Sequence, residues 1–171
     1  MNDELPQRKS PRLTGYDYSQ NGVYFVTICS YERACLFGEI KHALFVPSPL
    51  GLVVQEELEV LATYWPEVEI DCAVVMPNHI HILVAIFADA MQNRNVGNNL
   101  TTQPTLGHIV GNYKSGVTRK SRQVNLISSQ ERIWQGRYHD HVVRDERSLN
   151  TIREYVLNNP ARWQEDTFYL G

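Results

Sequence analysis

Two histidines separated by one bulky apolar residue, His79-Ile80-His81, lie within the most apolar stretch of the chain, residues 72–86. In a strand, side chains two residues apart share a face, so both imidazoles project side by side while Ile80 turns into the opposite layer. Neutral imidazole is the commonest protein ligand for divalent metals, and a buried strand holds two of them rigidly while leaving coordination positions open. The pair reads as half of a metal site. The plain alternative is two histidines satisfied by local hydrogen bonds. A working site needs at least one more oxygen or nitrogen donor. Tyr155 and Asn159, four residues apart just before Pro160, bring a phenol and an amide oxygen to one helix face. A phenol is a poor nucleophile at its free pKa of about 10, a difficulty that a metal polarising the electrophile reduces. The plain alternatives are a helix tyrosine packed on a sheet and an asparagine cap.

The elements that must position these groups follow from hydrophobic periodicity. Residues 23–29, β-branched and aromatic between Gly22 and Ser30, predict a first strand, with a turn region over 31–38. Leu50, Val53, Val54, Leu58 and Leu61 recur at helical spacing and predict a helix over 50–64, ending before Pro66. Residues 68–76 and 79–86 form a hairpin around Pro77-Asn78, with the histidines at the start of its second arm. A second helix is predicted over 105–122 and a strand over 138–144; Ser148 caps a last helix over 149–158. Strand, helix, strand, strand, helix, strand is the order of a split β-α-β, α+β sandwich, an antiparallel sheet with helices on one face. The C-terminal helix carrying Tyr155 is extra to that plan, free to lie across the sheet edge or its open face. The expected organisation is an extended basic arm over 1–20 and a single domain over 21–171, interrupted by a mobile loop at about 87–104.

The 171 residues suit one core. Cys29, Cys35 and Cys72 are odd in number and lack Cys-x-x-Cys spacing, which argues against a disulfide framework and a zinc cluster. Residues 1–10 lack an apolar segment, and no run approaches a membrane span, so a cytoplasmic protein with no membrane partner is expected. The net charge of −3 hides a polarity along the chain. Residues 32–90 carry two basic side chains against nine acidic; residues 106–163 carry ten basic against five acidic. The basic half intersperses Tyr113, Trp134, Tyr138 and Tyr155, a mixture that grips single-stranded nucleic acid by phosphate pairing and base stacking. Lys114, Arg119, Lys120 and Arg144 are its candidate phosphate contacts.

Four segments together resemble the single-tyrosine HUH transposases, and within them the REP-associated tyrosine transposases. They are residues 12–19 (RLTGYDYS), 75–81 (VMPNHIH), 138–146 (YHDHVVRDE) and 155–160 (YVLNNP), in order along nearly the whole chain. The resemblance implies a ferredoxin-like nuclease fold that cuts and rejoins single-stranded DNA near hairpins. Carried over, His79 and His81 match the metal-binding histidines, the metal being a divalent ion such as Mg²⁺ or Mn²⁺. Tyr155 matches the nucleophile, which leaves a 5′-phosphotyrosyl DNA and a free 3′-hydroxyl. Asn159 takes the place of the third ligand, where related enzymes often have Gln; the amide oxygen is kept and its reach shortened by one methylene. The resemblance also implies that Arg12 and its arm read a short sequence beside the hairpin, and that a monomer is favoured over a homodimer.

Rival assignments exist within the sequence. Tyr113 also lies on a basic helix, but the residue four later is Val117, which ligates nothing, so Tyr113 reads as core or DNA-facing. His139 and His141 form a second His-x-His in a polar, basic setting that suits DNA or solvent. Two other functions stay open. One is a non-catalytic hairpin-binding module or repressor on the same sheet, and the other a metal-dependent phosphodiesterase that uses water and forms no covalent intermediate.

Overall fold

A strand that is apolar on both sides has to be covered on both sides, and His79–Ile86 is buried at every position. The computed structural model describes residues 21–87 and 104–169. Arg12 with the N-terminal arm, and nearly all of the expected loop at 87–104, lie outside the described residues. In chain order the elements are β1 (Gly22–Cys29), β2 (Gly38–Lys41), β3 (Leu44–Pro47), α1 (Pro49–Leu61), β4 (Val68–Val75), β5 (His79–Ile86), α2 (Leu106–Gln123), β6 (His139–Val143) and α3 (Glu146–Asn158). Four strands form an antiparallel sheet in the order β4-β5-β1-β6, the arrangement of a ferredoxin-like α+β fold.

One face of this sheet carries the core. Val26, Ile28, Ile82 and Val84 pack beneath Leu61 of α1 and Leu106, Ile109, Val110 and Tyr113 of α2. Ser48 caps α1 by accepting from the Gly51 N–H at 3.0 Å, with Pro49 in the first turn, where its missing N–H costs nothing. Gly51 is there because any Cβ would collide with the Phe37 carbonyl. Thr105 caps α2 in a reciprocal box with His108, whose Nδ1 takes the Thr105 N–H. The Tyr113 hydroxyl is buried and donates to the Val54 carbonyl at 2.9 Å. That bond settles its role as core, and burial raises its pKa well above the ordinary value.

Two sequence expectations need correction. The segment after the turn at 31–38 forms a hairpin, β2 with β3, that periodicity does not announce. Its two turn residues, His42 (φ 52°) and Ala43 (φ 61°), hold the left-handed conformation that hairpin turns normally assign to Asn or Gly. The last helix starts earlier than 149: Asp145 is the cap, accepting from the Ser148 N–H at 2.8 Å, and Ser148 sits inside the first turn. The extra helix takes one of the two placements open to it, the open face of the sheet, where α3 packs against β4 and β5. Among the described residues no helix is long and apolar enough to cross a membrane.

Ile80 is fully buried between the two histidines and points into the opposite layer. Ile80→Ala should therefore lower the unfolding free energy by about 2–5 kcal/mol. Urea denaturation measures this, and a loss well under that range would mean that the core collapses onto the cavity.

Candidate active site

Strand register builds the site. β5 pairs with β1 so that His81 stands opposite Thr27 and His79 opposite Cys29. The His81 Nδ1 lies 2.9 Å from the Thr27 hydroxyl. His79 is oriented from the hairpin turn, its Nδ1 being 2.9 Å from Asn78 Oδ1. The amide of Asn78 cannot be reversed, because its Nδ2 donates to the carbonyls of Arg33 (3.0 Å) and Phe168 (2.8 Å). Its oxygen must then face His79, so the His79 proton sits on Nδ1 and the Nε2 lone pair is free.

The two Nε2 atoms point at each other, 3.0 Å apart. Burial pushes both imidazoles below their usual range, His79 to about 4 and His81 to about 3, so neither carries charge near neutral pH. Two lone pairs at this distance repel unless a proton or a cation lies between them. Asp166 completes the cluster: it, His79 and His81 offer ligand atoms that all lie within 4.8 Å of one another. Burial pushes the Asp166 carboxyl up, but donors from the Phe168 N–H (2.7 Å) and Asn159 Nδ2 (2.7 Å) outweigh it and hold it below the ordinary value. A buried carboxylate beside two neutral imidazoles is a donor set suited to a divalent metal.

Asp166 has no sequence signature. It lies seven residues beyond Asn159, and only the 3₁₀ turn Pro160–Glu165 returns it to the sheet. The same return lays the Phe168 ring 4.6 Å from that of His79 and the Trp163 ring 6.0 Å from it, excluding water from the imidazoles. Asn159, expected as the third ligand, is buried beside the cluster with its Nδ2 tethering Asp166; its Oδ1 is buried without a hydrogen-bond partner. An orphaned buried carbonyl oxygen on a residue bonded to Asp166 is a candidate further donor.

Tyr155 reaches the same point from α3. Its hydroxyl donates to Asp166 Oδ2 at 3.2 Å and lies 3.3 Å from His81 Nε2. Burial, then the Asp166 charge, pushes its pKa up to about 12. A pocket of about 200 Å³ lined by Tyr155, Asn159, Arg162, Glu165 and Asp166 opens onto the hydroxyl. Phe25 of β1 braces the ring edge-on, with centroids 6.1 Å apart.

The expected phosphate contacts fare differently. Lys114 and Arg119 line a groove of about 580 Å³ along α2, with Ser115, Thr118, Arg122 and Trp134. Lys114 donates to the Gln135 carbonyl at 2.6 Å, whereas Arg119 is exposed. Lys120 is engaged by Glu56 (2.8 Å) and Glu57 (3.6 Å) of α1, so its charge already serves the contact between α1 and α2. Arg144 is exposed just beyond β6. His139 and His141 are exposed on β6, opposite Thr27 and Phe25 on the site's face of the sheet, but outside the ligand cluster.

Because Asn78 fixes the tautomer of His79, Asn78→Ala should weaken divalent-metal binding by about 10–100-fold. Calorimetric titration with Mn²⁺ reads the change; an unaltered affinity would assign the orientation of His79 to its aromatic neighbours instead.

No family model matches the chain. It is similar to an uncharacterized protein of Haemophilus influenzae strain Rd, 36% identical over 177 residues that span 99% of this chain and 97% of that one. Among solved structures it resembles a REP-associated tyrosine transposase bound to a REP hairpin, with a TM-score of 0.59 and 17% identity over 88% of this chain and 74% of that one. It also resembles a protein of Deinococcus radiodurans R1 described as a transposase, with a TM-score of 0.50 and 18% identity over 86% of this chain and 95% of that one. The chain belongs to the family of the Haemophilus influenzae protein, and its fold is that of the REP-associated tyrosine transposases.

Proposed function

We propose that the protein is a metal-dependent single-stranded DNA endonuclease and strand transferase of the single-tyrosine HUH type, acting at hairpin sequences through a covalent phosphotyrosine link. The observation that carries this reading is the convergence of Tyr155 on the cluster, its hydroxyl within 3.3 Å of both His81 Nε2 and Asp166 Oδ2. The fold shared with a transposase bound to a REP hairpin supports the choice of substrate. The free thiols Cys29, Cys35 and Cys72 suit the reducing cytoplasm, and we favour a monomer.

His79, His81 and Asp166 would hold a divalent ion such as Mg²⁺ or Mn²⁺, with Asn159 Oδ1 as a further donor, and the bound ion would neutralise charge on a nonbridging phosphate oxygen. The chain's own residues supply position and proton handling. α3 presents the phenol at the rim of the pocket, where an entering phosphodiester meets it. The phenol oxygen bonds to phosphorus as the bond from phosphorus to the 3′ oxygen breaks. Asp166 accepts the phenol's hydrogen bond and is placed to receive its proton, which ends on the departing 3′ oxygen. The phosphotyrosine retains the bond energy, so rejoining needs only the reverse attack by a 3′-hydroxyl.

The basic groove on α2 would carry flanking phosphates. Lys114 donates to the Gln135 carbonyl, and the Gln135 N–H donates to the carbonyl of Cys29, the residue opposite His79, so this end of the groove adjoins the histidine end of β5. Arg119 and Arg144 are the exposed cations for this role, and Arg12 would add contacts from the arm.

The test uses labelled single-stranded hairpin DNA with wild-type protein and Tyr155→Phe, with and without Mg²⁺ or Mn²⁺, on a denaturing gel. Wild type should give a metal-dependent protein–DNA adduct, and Tyr155→Phe none while still binding the hairpin. Binding without adduct in both proteins would indicate the non-catalytic module, and cleavage surviving in Tyr155→Phe the water-using phosphodiesterase. Arg119→Ala should weaken hairpin binding across sequences and reduce the slope of log affinity against log salt by about 1. An unchanged slope would remove α2 from the interface.

A further inference from the structure

Apolar packing of α3 is confined to one narrow stripe. Val156 is its fully buried residue, Leu149 and Ile152 are half-buried, and Leu157 and Tyr155 are exposed. Around the helix axis, Val156 and Asn159 face the sheet, while Arg153 and Tyr155 project on opposite flanks, as their spacing of two residues requires. The Tyr155 flank leans on His81, with rings 5.2 Å apart. The Arg153 flank makes a two-pronged bond: Nε to Asp71 Oδ2 at 2.7 Å and Nη2 to Asp71 Oδ1 at 2.6 Å. Asn150 takes a further Nη1 hydrogen at 3.2 Å, fixing the guanidinium plane.

Asp71 is placed for this bond by an irregularity of the sheet. β4 pairs with β5 through Ile70 with Val84 and then Cys72 with Leu83, so Asp71 is the extra residue of a bulge. Bulges re-aim a side chain, and this one serves Asp71, whose carboxyl the Arg153 guanidinium holds below the ordinary range. A bidentate pair fixes direction as well as distance, which a single apolar contact cannot do.

We propose that the Asp71–Arg153 pair sets the roll of α3 about its axis and so positions the Tyr155 hydroxyl at His81 and Asp166. The pair is a positioning device, and the inference rests on Tyr155 being the nucleophile. Stability is a poor measure of it, since partly exposed ion pairs contribute little. Rate is a good one, because a misplacement of about 1 Å at a reacting group costs up to about 100-fold.

The experiment measures single-turnover adduct formation at saturating hairpin DNA, hairpin affinity, and hydrogen exchange of the α3 amides. The proteins are wild type, Asp71→Ala, Asp71→Asn, Arg153→Ala and the exchanged pair Asp71→Arg with Arg153→Asp. The single substitutions should slow the adduct by about 10–100-fold, speed exchange in α3 but not in β5, and leave hairpin affinity and Tm near wild type. The exchanged pair should recover both rate and protection. Wild-type rate and protection in the Asp71 variants would overturn the proposal, as would affinity falling in step with rate, or an exchanged pair no better than the single variants. If wild type itself forms no adduct, the reading of Tyr155 fails, and exchange alone decides whether the pair seats α3: unchanged protection then overturns it.

Discussion

β5 is hydrogen-bonded on both edges, to β4 and to β1, and its alternation leaves a single register in which the apolar set Ile80, Ile82, Val84 and Ile86 meets the core. A slip of one residue would exchange the faces, driving two imidazoles into the apolar layer beneath α1 and α2 and turning Ile80 and Ile82 toward α3. In that register neither histidine would have Thr27 or Asn78 to orient it. The hydrophobic effect that folds the sheet is therefore what aims the histidines, and no separate device is needed to point them. The bulge at Asp71 has the same logic, since it absorbs an irregularity on the edge strand β4 and leaves the central strand untouched.

Electrostatics at the site follow from this burial. Two imidazoles kept neutral and one carboxylate kept ionised give a negative cluster beside a phenol, and burial first, then that carboxylate, pushes the phenol's pKa up to about 12. The protein alone thus disfavours a phenolate. A divalent cation among these donors would reverse the sign of the local field, and the same carboxylate that hinders the phenol is part of what would attract the cation. The donors that fix Asp166, from Asn159 and Phe168, spend hydrogen bonds on keeping it charged. That makes sense for a ligand and less for an incidental surface acid.

What was legible in the sequence was whatever local period encodes. The alternation of β1, β5 and β6, the helical spacing of α1 and α2, and the four-residue interval between Tyr155 and Asn159 all translate into faces, and those faces stand as expected in the sheet order and around the histidines. The hairpin of β2 and β3 escaped because its turn is made by His42 and Ala43, which carry no turn signal. Asp145 and Ser148, three residues apart, are both cap types, and only the backbone decides that Asp145 holds the position. Asp166 escaped for a different reason: its proximity to His79 is created by a chain reversal, and no spacing rule spans 87 residues of tertiary return. Lys120 shows the converse, a cation on a basic helix whose partner, Glu56, lies in an element far along the chain.

The two halves of the site differ in how firmly they are held. The histidines sit on the most protected strand of the sheet, with every residue of β5 buried and both edges bonded. Tyr155 is 40% exposed, on a helix whose one buried side chain is Val156. Local stability tracks buried apolar contact, so opening of α3 costs far less than any disturbance of β5. Ligand geometry should accordingly survive changes that displace the phenol, and the reach of Tyr155 is the variable quantity in the site. For the proposed function that asymmetry would be useful: a tyrosine that held a DNA end and then let an incoming 3′-hydroxyl approach the same phosphorus would need a fixed point for charge and a seat that can yield without unmaking it.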